Sequence, residues 1–414
     1  MNSYTLSILI ALFVGLVLQL WLLSRQAIHV SRHRDEVPEA FRDHVSLAAH
    51  QKAADYTVAK ARLHQVEEVI AALLLWFWTM GGGFNAVDHF WRNTISSAWA
   101  GVAFVVSVSL LMSMLELPFA IYRTFILEKR FGFNRTTPQI FITDMIKQIF
   151  ILLLLGIPLT WIILWLMNSA GGNWWIYTWA TWMGFGLLMT WAYPNFIAPL
   201  FNQFTPLTDD VLLARVVALV ERCGFRADGV YVMDGSRRSS HGNAYFTGFG
   251  NHKRIIFFDT LLNSLSPVQV EAVLAHELGH FRHHHVFKRW LLIGTMSLAG
   301  LAILGYLIHQ PEFYFGLGID TPSPHTALVL FLLVAPLFTL FAQPLLSQVL
   351  QSHEFAADDF SCRVTGEPYA LREALLHLYR ENAGTLTPDR LHSAFYDSHP
   401  PAPIRIARIV TATA

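Results

Sequence analysis

The residues whose types and spacing point most directly to chemistry are His276-Glu277-Leu278-Gly279-His280. Side chains four residues apart on an α-helix lie one above the other on the same face. His276 and His280 can therefore each turn an imidazole nitrogen toward one ion. Glu277 sits one step round the helix, near enough to hold a water without being a ligand. A Zn²⁺ in such a place lowers the pKa of its water and polarises a carbonyl, while the carboxylate takes the proton and returns it to a leaving amine. The five residues recur by chance in unrelated chains, so the reading depends on further ligands and on a helix that presents them.

Zinc in a hydrolase usually keeps three protein ligands and one open position. Glu354, in His353-Glu354-Phe355-Ala356-Ala357-Asp358, offers the third. Asp358 follows one turn later, placed to accept the spare N–H of a ligating histidine and fix its tautomer. Taken alone, the pair also suits a solvated helix end. His284 competes for the third position because it is i+4 from His280. A helix would carry it about 12 Å along the axis from His276, at 1.5 Å per residue, which bonds of about 2.0–2.1 Å to one ion do not readily span. His283, His284 and His285, followed by Lys288 and Arg289, more often mark an interfacial anchor just before a span.

Nearer the C-terminus, Ser398-His399-Pro400-Pro401-Ala402-Pro403-Ile404-Arg405 sets a His and an Arg around a Pro-stiffened turn. Either can donate a hydrogen bond to an oxyanion, a role that repays preorganisation, although the segment alone resembles a helix start with a basic cap. Asn243-Ala244-Tyr245-Phe246-Thr247-Gly248-Phe249 reads as a strand, and an edge strand beside a hydrolytic metal can bind extended peptide through its main chain.

The elements that must position these groups are legible locally. Ser266-Pro267-Val268-Gln269 has the form of a capping box with Pro at the first helical position, and Val270, Val273, Leu274, Leu278 and Phe281 form an apolar stripe. A second helix is predicted from Thr208-Asp209-Asp210 to Gly224, with strands at Gly229–Met233, Ala244–Phe249 and Arg254–Phe258. The stretch 349–414 reads as helical with Pro and Ser punctuation.

Composition places this polar machinery on a membrane. The chain has 414 residues, of which 54% are hydrophobic and 14% charged, against about a quarter charged in soluble domains. Lys+Arg and Asp+Glu are 29 each, so the net charge is zero and no nucleic-acid partner is expected. Two cysteines, Cys223 and Cys362, cannot build a disulfide framework. Uncharged runs at 1–24, 69–87, 93–115, 148–208, 290–311 and 321–353 meet the roughly 20 apolar residues of a span. The longest breaks at Asn168-Ser-Ala-Gly-Gly-Asn173, giving spans near Ile149–Met167 and Trp174–Tyr193 and an expected total of seven.

Loops 25–68 and 116–147 are rich in Lys and Arg, whereas 88–92, 168–173 and 310–324 are poor in them, so the N-terminus is expected outside and the C-terminus inside. The first run lacks a signal peptide's basic start and cleavage site and reads as a retained helix.

Six pieces, Glu128-Lys-Arg-Phe-Gly-Phe-Asn134, Asn243-Ala-Tyr-Phe-Thr-Gly248, Lys253-Arg-Ile-Ile-Phe-Phe-Asp259, His276-Glu-Leu-Gly-His280, Glu354-Phe-Ala-Ala-Asp358 and Ser398-His-Pro-Pro401, resemble those of the type I CAAX prenyl proteases. The resemblance runs in order over nearly the whole chain. It implies an all-α polytopic membrane protein whose seven helices form a chambered barrel, capped by a gluzincin-type metalloprotease domain with a small β-sheet. On this reading residues 1–195 form the membrane region, with five spans, and 196–414 the zinc metalloprotease domain, including the last two.

The resemblance also implies one Zn²⁺ per chain held by His276, His280 and Glu354, with Asp358 behind a ligand and Glu277 as general base. His399 and Arg405 would assist at the oxyanion, and Asn243, Ala244, Tyr245 and Phe246 would hold substrate backbone. The expected partners are membrane lipids and a peptide or lipidated-protein substrate, with no obligate protein partner. Two departures, no endoplasmic-reticulum retrieval signal at Thr413-Ala414 and a short 309–325 loop, suggest a bacterial inner-membrane homologue, for which prenylated proteins need not be the natural substrate. The competing readings are a general membrane-protein quality-control protease and, from another class, a transporter-like bundle that binds metal.

Overall fold

The computed structural model describes residues 2–95, 97–248 and 252–411. Phe249 and Thr413-Ala414, which enter the expectations above, lie outside them. The membrane region opens with α1 (Ser3–Arg32), α2 (Leu47–Trp78), α3 (Gly83–Thr94), α4 (Ser97–Tyr122), α5 (Pro138–Ser169) and α6 (Trp174–Ala192). A short α7 (Ala198–Phe201) leads to β1 (Phe204–Pro206), α8 (Asp210–Arg222), β2 (Arg226–Met233), β3 (Ala244–Thr247), β4 (His252–Phe258) and α9 (Asp259–Ser264). The metal-motif helix α10 (Pro267–Arg282) is followed by α11 (His285–Leu307), α12 (Pro311–Gly316), α13 (Pro324–Thr339) and α14 (Gln343–Thr365). Three helices close the chain: α15 (Pro368–Glu381), α16 (Arg390–Tyr396) and α17 (Ala402–Thr411).

Among the described residues five helical stretches are long and apolar enough to cross a membrane: Ser3–Arg32, Trp99–Glu128, Pro138–Ser169, His285–Leu307 and Pro324–Thr365. The pair α2 and α3, bent by 48°, raises the number to six. The expected seven is therefore not reached by length and composition. The run 69–87, counted above as one span, straddles the break between α2 and α3, where Gly82 takes a left-handed φ of 80° and caps α3. Counting charges does not detect such a bend. Helix α6 does form, after a break at Gly171–Asn173, but the aromatic and hydroxyl groups in WWIYTWATWMGFGLLMTWA leave it outside the apolar set.

Polar contacts sort the loops into two ends. At one, Asn2 and Thr5 donate to the carbonyls of Glu312 and Gly316 at 2.6 and 2.8 Å, and buried Asp88 joins His325 at 2.7 Å and Arg92 at 2.8 Å. At the other, Arg25 forks onto Asp389 at 3.3 and 2.9 Å and Arg238 onto Asp144 at 2.8 and 3.1 Å. The basic loops thus share the end that carries the metal motif.

The sheet has the order β1-β2-β4-β3, with β2 and β4 parallel and the outer pairs antiparallel, which leaves β3 at one edge. Asp209 caps α8 by accepting from the Leu212 N–H at 2.9 Å. The apolar faces of α8 (Val216, Leu219) and α10 (Leu274, Leu278) close a core over Ile255 and Phe257 of β4. The capping box of α10 is formed in both directions, Ser266 and Gln269 bonding each other's backbone N–H. Buried Cys223, whose thiol burial pushes up to about 11, belongs to this core. Both cysteines are free.

Helix α10 packs on α14 at unusually short range. A Cβ built on Gly279 would stand 3.0 Å from the Ala357 Cα and 3.2 Å from the Phe360 Cβ. Ser361, also on α14, donates to the Ala272 carbonyl of α10 at 2.7 Å in a fully buried contact. Gly279→Ala is therefore expected to separate the helices and to destabilise the fold by about 1–3 kcal/mol, the usual cost of overpacking. Thermal unfolding of the detergent-solubilised variant checks this, and an unchanged midpoint counts against the close approach.

Candidate active site

The HExxH helix turns His276 and His280 toward α14, which brings in Glu354. Their nearest atoms are His276 Nε2 to His280 Nε2, 3.2 Å, His280 Nε2 to Glu354 Oε1, 3.3 Å, and His276 Nε2 to Glu354 Oε2, 3.5 Å. A tetrahedral ion with bonds of about 2.0–2.1 Å holds its ligand atoms about 3.3–3.4 Å apart. The three side chains therefore fit a single small ion. They are the one group of three or more His, Cys, Asp or Glu found suitable for a metal among the described residues.

Behind the ligands lies a buried charge network. His276 Nδ1 is 2.8 Å from Asp358 Oδ1, and Arg405 forks onto Asp358 through Nε at 2.6 Å and Nη2 at 2.7 Å. Asp358 and Arg405 are 2% and 6% exposed, so neither charge has water to turn to and each depends on the other. Arg405 Nη2 also lies 3.2 Å from His276 Nδ1. That is proximity and not a bond, because a Nδ1 proton given to Asp358 leaves no lone pair for a second donor. Burial and the Arg405 charge both oppose protonation of His276, but the bonds to Asp358 and Glu354 outweigh them and raise its pKa.

The remaining expected residues gather round this centre. Glu277 is half-buried on the same turn. His399, well exposed, sets Nδ1 2.7 Å from Glu354 Oε2. Arg405, with Nε and Nη2 on Asp358, leaves only Nη1, 3.6 Å from Glu354 Oε2, turned toward the ligand group. Asn243 anchors the start of β3: its carbonyl accepts from Phe258 N–H at 3.0 Å and its Oδ1 from the Ala244 N–H at 2.8 Å. Ala244, Tyr245 and Phe246 form the edge strand, and Phe246 meets Phe281 at the end of α10 edge-on, ring centroids 5.8 Å apart.

His284, already disfavoured as a third ligand by its distance along a helix, does not share the metal face at all. Helix α10 ends at Arg282, His283 caps it, and His284 takes a left-handed φ of 56° before α11 starts. The residue that spacing missed is His285. Its Nδ1 is 3.0 Å from Nδ1 of His280, and its ring stacks on His353, centroids 4.0 Å apart. His280 Nε2 faces the ligand group, so His285 stands to His280 as Asp358 stands to His276. Only its place in a three-histidine run marked it beforehand.

An apolar helical bundle carrying a buried His-His-Glu group with an adjacent glutamate, beside an edge strand, defines a membrane metallopeptidase. Residues 26–203 match the family described as CAAX prenyl protease N-terminal, five membrane helices, and residues 206–413 match peptidase family M48. The chain belongs to the M48 family and, within it, to the CAAX prenyl protease type. It is 34% identical over 379 residues to the CAAX prenyl protease 1 homolog of Arabidopsis thaliana, covering 88% of each chain. It is 30% identical over 392 residues to CAAX prenyl protease 1 of Saccharomyces cerevisiae, covering 88% of this chain and 86% of that one. The crystal structure of S. mikatae Ste24p superposes with a TM-score of 0.92 at 27% identity over 99% of both chains.

Contacts to the ligands' far nitrogens generate a contrast between neighbouring histidines. His285→Ala is expected to weaken metal binding about 10–100-fold, as loss of an orienting partner does, with His284→Ala unchanged. Equilibrium dialysis against graded chelator measures both, and equal affinities for the two variants would remove His285 from the site.

Proposed function

We propose that the chain is a zinc endopeptidase acting on the C-terminal region of CAAX-type substrates, prenylated ones included. The single observation that carries this is the His276, His280 and Glu354 group at tetrahedral spacing with Glu277 on the adjacent helical position. Two His and one Glu form a donor set familiar from hydrolytic zinc. When bound, the ion acidifies a water and polarises the scissile carbonyl.

Glu277 accepts the proton of that water and passes it to the departing amine, the work of a general base and then acid. The backbone of β3, from Asn243 through Phe246, supplies main-chain donors and acceptors that align an extended peptide across the group. His399, exposed and already at the Glu354 carboxylate, is the group best placed to donate to an oxyanion. Arg405 acts by holding Asp358 and facing Glu354. A cavity of about 560 Å³ among α1, α2, α4 and α13 has apolar walls at Leu12, Leu16, Leu75, Met112 and Phe119 and a charged part at Glu67, Glu68, Glu116 and Arg123; it is of a size for a small ligand, and its apolar part suits a lipid chain attached to the substrate.

The catalytic end faces the cytoplasm in this reading, supported by the basic loops 25–68 and 116–147 gathered there, and the chain divides near residue 195 into membrane and protease regions. Glu277→Gln is expected to keep its metal and lose at least about 10²–10⁴-fold in turnover of a farnesylated CAAX peptide. A variant with near wild-type turnover and full metal content would overturn the assignment. Reporter fusions after Arg34 and after Arg92 are expected to lie inside and outside respectively, and the reverse pattern would invert the topology.

A further inference from the structure

A second cavity, of about 420 Å³, lies where the membrane helices meet the catalytic half, and Lys60, His64, Arg123, Asn382, His392 and Asp397 are on its wall. Two contacts tie it to the catalytic centre. The Asp397 carbonyl accepts from Gln351 Nε2 at 3.0 Å; Gln351 is three residues before the ligand Glu354, and Asp397 two before His399. On another side, Asn382 Oδ1 is 3.1 Å from Nδ1 of His241, two residues before Asn243 and the start of β3. An extended peptide lying along β3 past the ligand group therefore has this cavity beside its path.

The charges on that wall are not balanced alike. Arg123 is ion-paired with Glu67, and His64 lies 3.1 Å from Glu68. Lys60 makes no ion pair among the described residues. Its Nζ rests 4.5 Å from the centroid of the Tyr56 ring, and Tyr56 in turn donates its hydroxyl to Glu128. The ammonium is thus held in place by an aromatic face, with donors left over for an anion. Asp397, on the segment that leads to His399, and Glu128 act on Lys60 only beyond ion-pair distance, so Lys60 gives the cavity a cation that no described carboxylate holds in an ion pair.

We propose that Lys60 binds the α-carboxylate of the substrate's C-terminal residue, and of the tripeptide released from it. The proposal rests on the CAAX reading above and takes the scissile bond to be the one after the cysteine, so that three residues follow it. In extended form they reach about 10 Å beyond it, at roughly 3.3 Å per residue, into a cavity that holds a fixed cation. Lys60 is then a specificity residue that measures the distance from the chain end, which distinguishes a C-terminal substrate from an interior sequence of the same composition.

The test pairs a farnesylated CAAX peptide acid with its C-terminal amide, using wild type, Lys60→Met and Lys60→Arg in detergent. Wild type is expected to prefer the acid by about 10–100-fold in kcat/KM, the range for a hydrogen bond to a charged group. Lys60→Met should lose that preference by slowing on the acid alone, and Lys60→Arg should keep most of it. A second arm measures inhibition of a generic fluorogenic peptide's cleavage by an aliphatic tripeptide, as acid and as amide. Wild type should bind the acid more tightly and Lys60→Met should bind both alike. An acid preference that survives in Lys60→Met, in either arm, overturns the proposal while leaving the protease assignment standing. Cleavage of the generic peptide with no cleavage of either farnesylated peptide removes the CAAX reading, and the tripeptide arm then still decides whether Lys60 binds a carboxylate.

Discussion

The catalytic geometry depends on how closely two helices approach. With hydrogen in place of a side chain at Gly279, α10 comes near enough to α14 for a Cβ there to stand 3.0 Å from the Ala357 backbone. Glu354 and Asp358 are one turn apart on α14, so the same approach fixes both at once: one carboxylate between the two imidazoles, the other on the far nitrogen of His276. Two carboxylates so placed need a counter-charge. Arg405 supplies it from α17, near the end of the chain, through its fork onto Asp358. Removing one partner of a buried pair typically costs about 3–5 kcal/mol, so docking of α17 is part of forming the site.

A second polar layer joins the membrane helices to the catalytic half. Tyr56 and Glu128 come from the membrane side, and His241 lies 3.8 Å from Glu128 and 3.1 Å from Asn382. Arg238 reaches back to Asp144 on α5 and to Asn202. These contacts bracket the loop before β3, so the strand proposed to hold peptide is positioned as much by the membrane region as by its own sheet. The Glu128-to-Asn134 segment, which carried no chemistry of its own, is one of the pieces of this joint: Asn134 bridges Ser239, and Arg135 N–H donates to the Arg238 carbonyl at 3.0 Å.

Local order was legible in the sequence wherever the signal was local. The i,i+4 histidines, the Ser266–Gln269 cap and the cap and stop of α8 depend on neighbours within one or two turns, and they form as their residues imply. The grouping of loops by basic charge matches the two ends that the structure brings together, since span order alone alternates them. Five or six apolar spans were recoverable from hydrophobicity. The bend between α2 and α3 was not, because an uncharged run looks the same straight or kinked.

What tertiary structure decided is which distant groups meet. Nothing in the spacing of His276, Glu354 and Arg405 specifies that α10, α14 and α17 converge, because each distance is set by packing across long stretches of chain. The left-handed turn at His284 was hidden for a related reason: only a few per cent of non-glycine residues take positive φ, and although His is among those enriched there, one His in a run of three gives no local notice that the helix ends. That turn takes His284 off the metal face and brings His285 to His280. Sequence thus determined the candidate side chains of the site and the helices that bear them. The mutual placement of those helices, and with it the pairing of each ligand to its partner, came from contacts that exist only once the chain has folded.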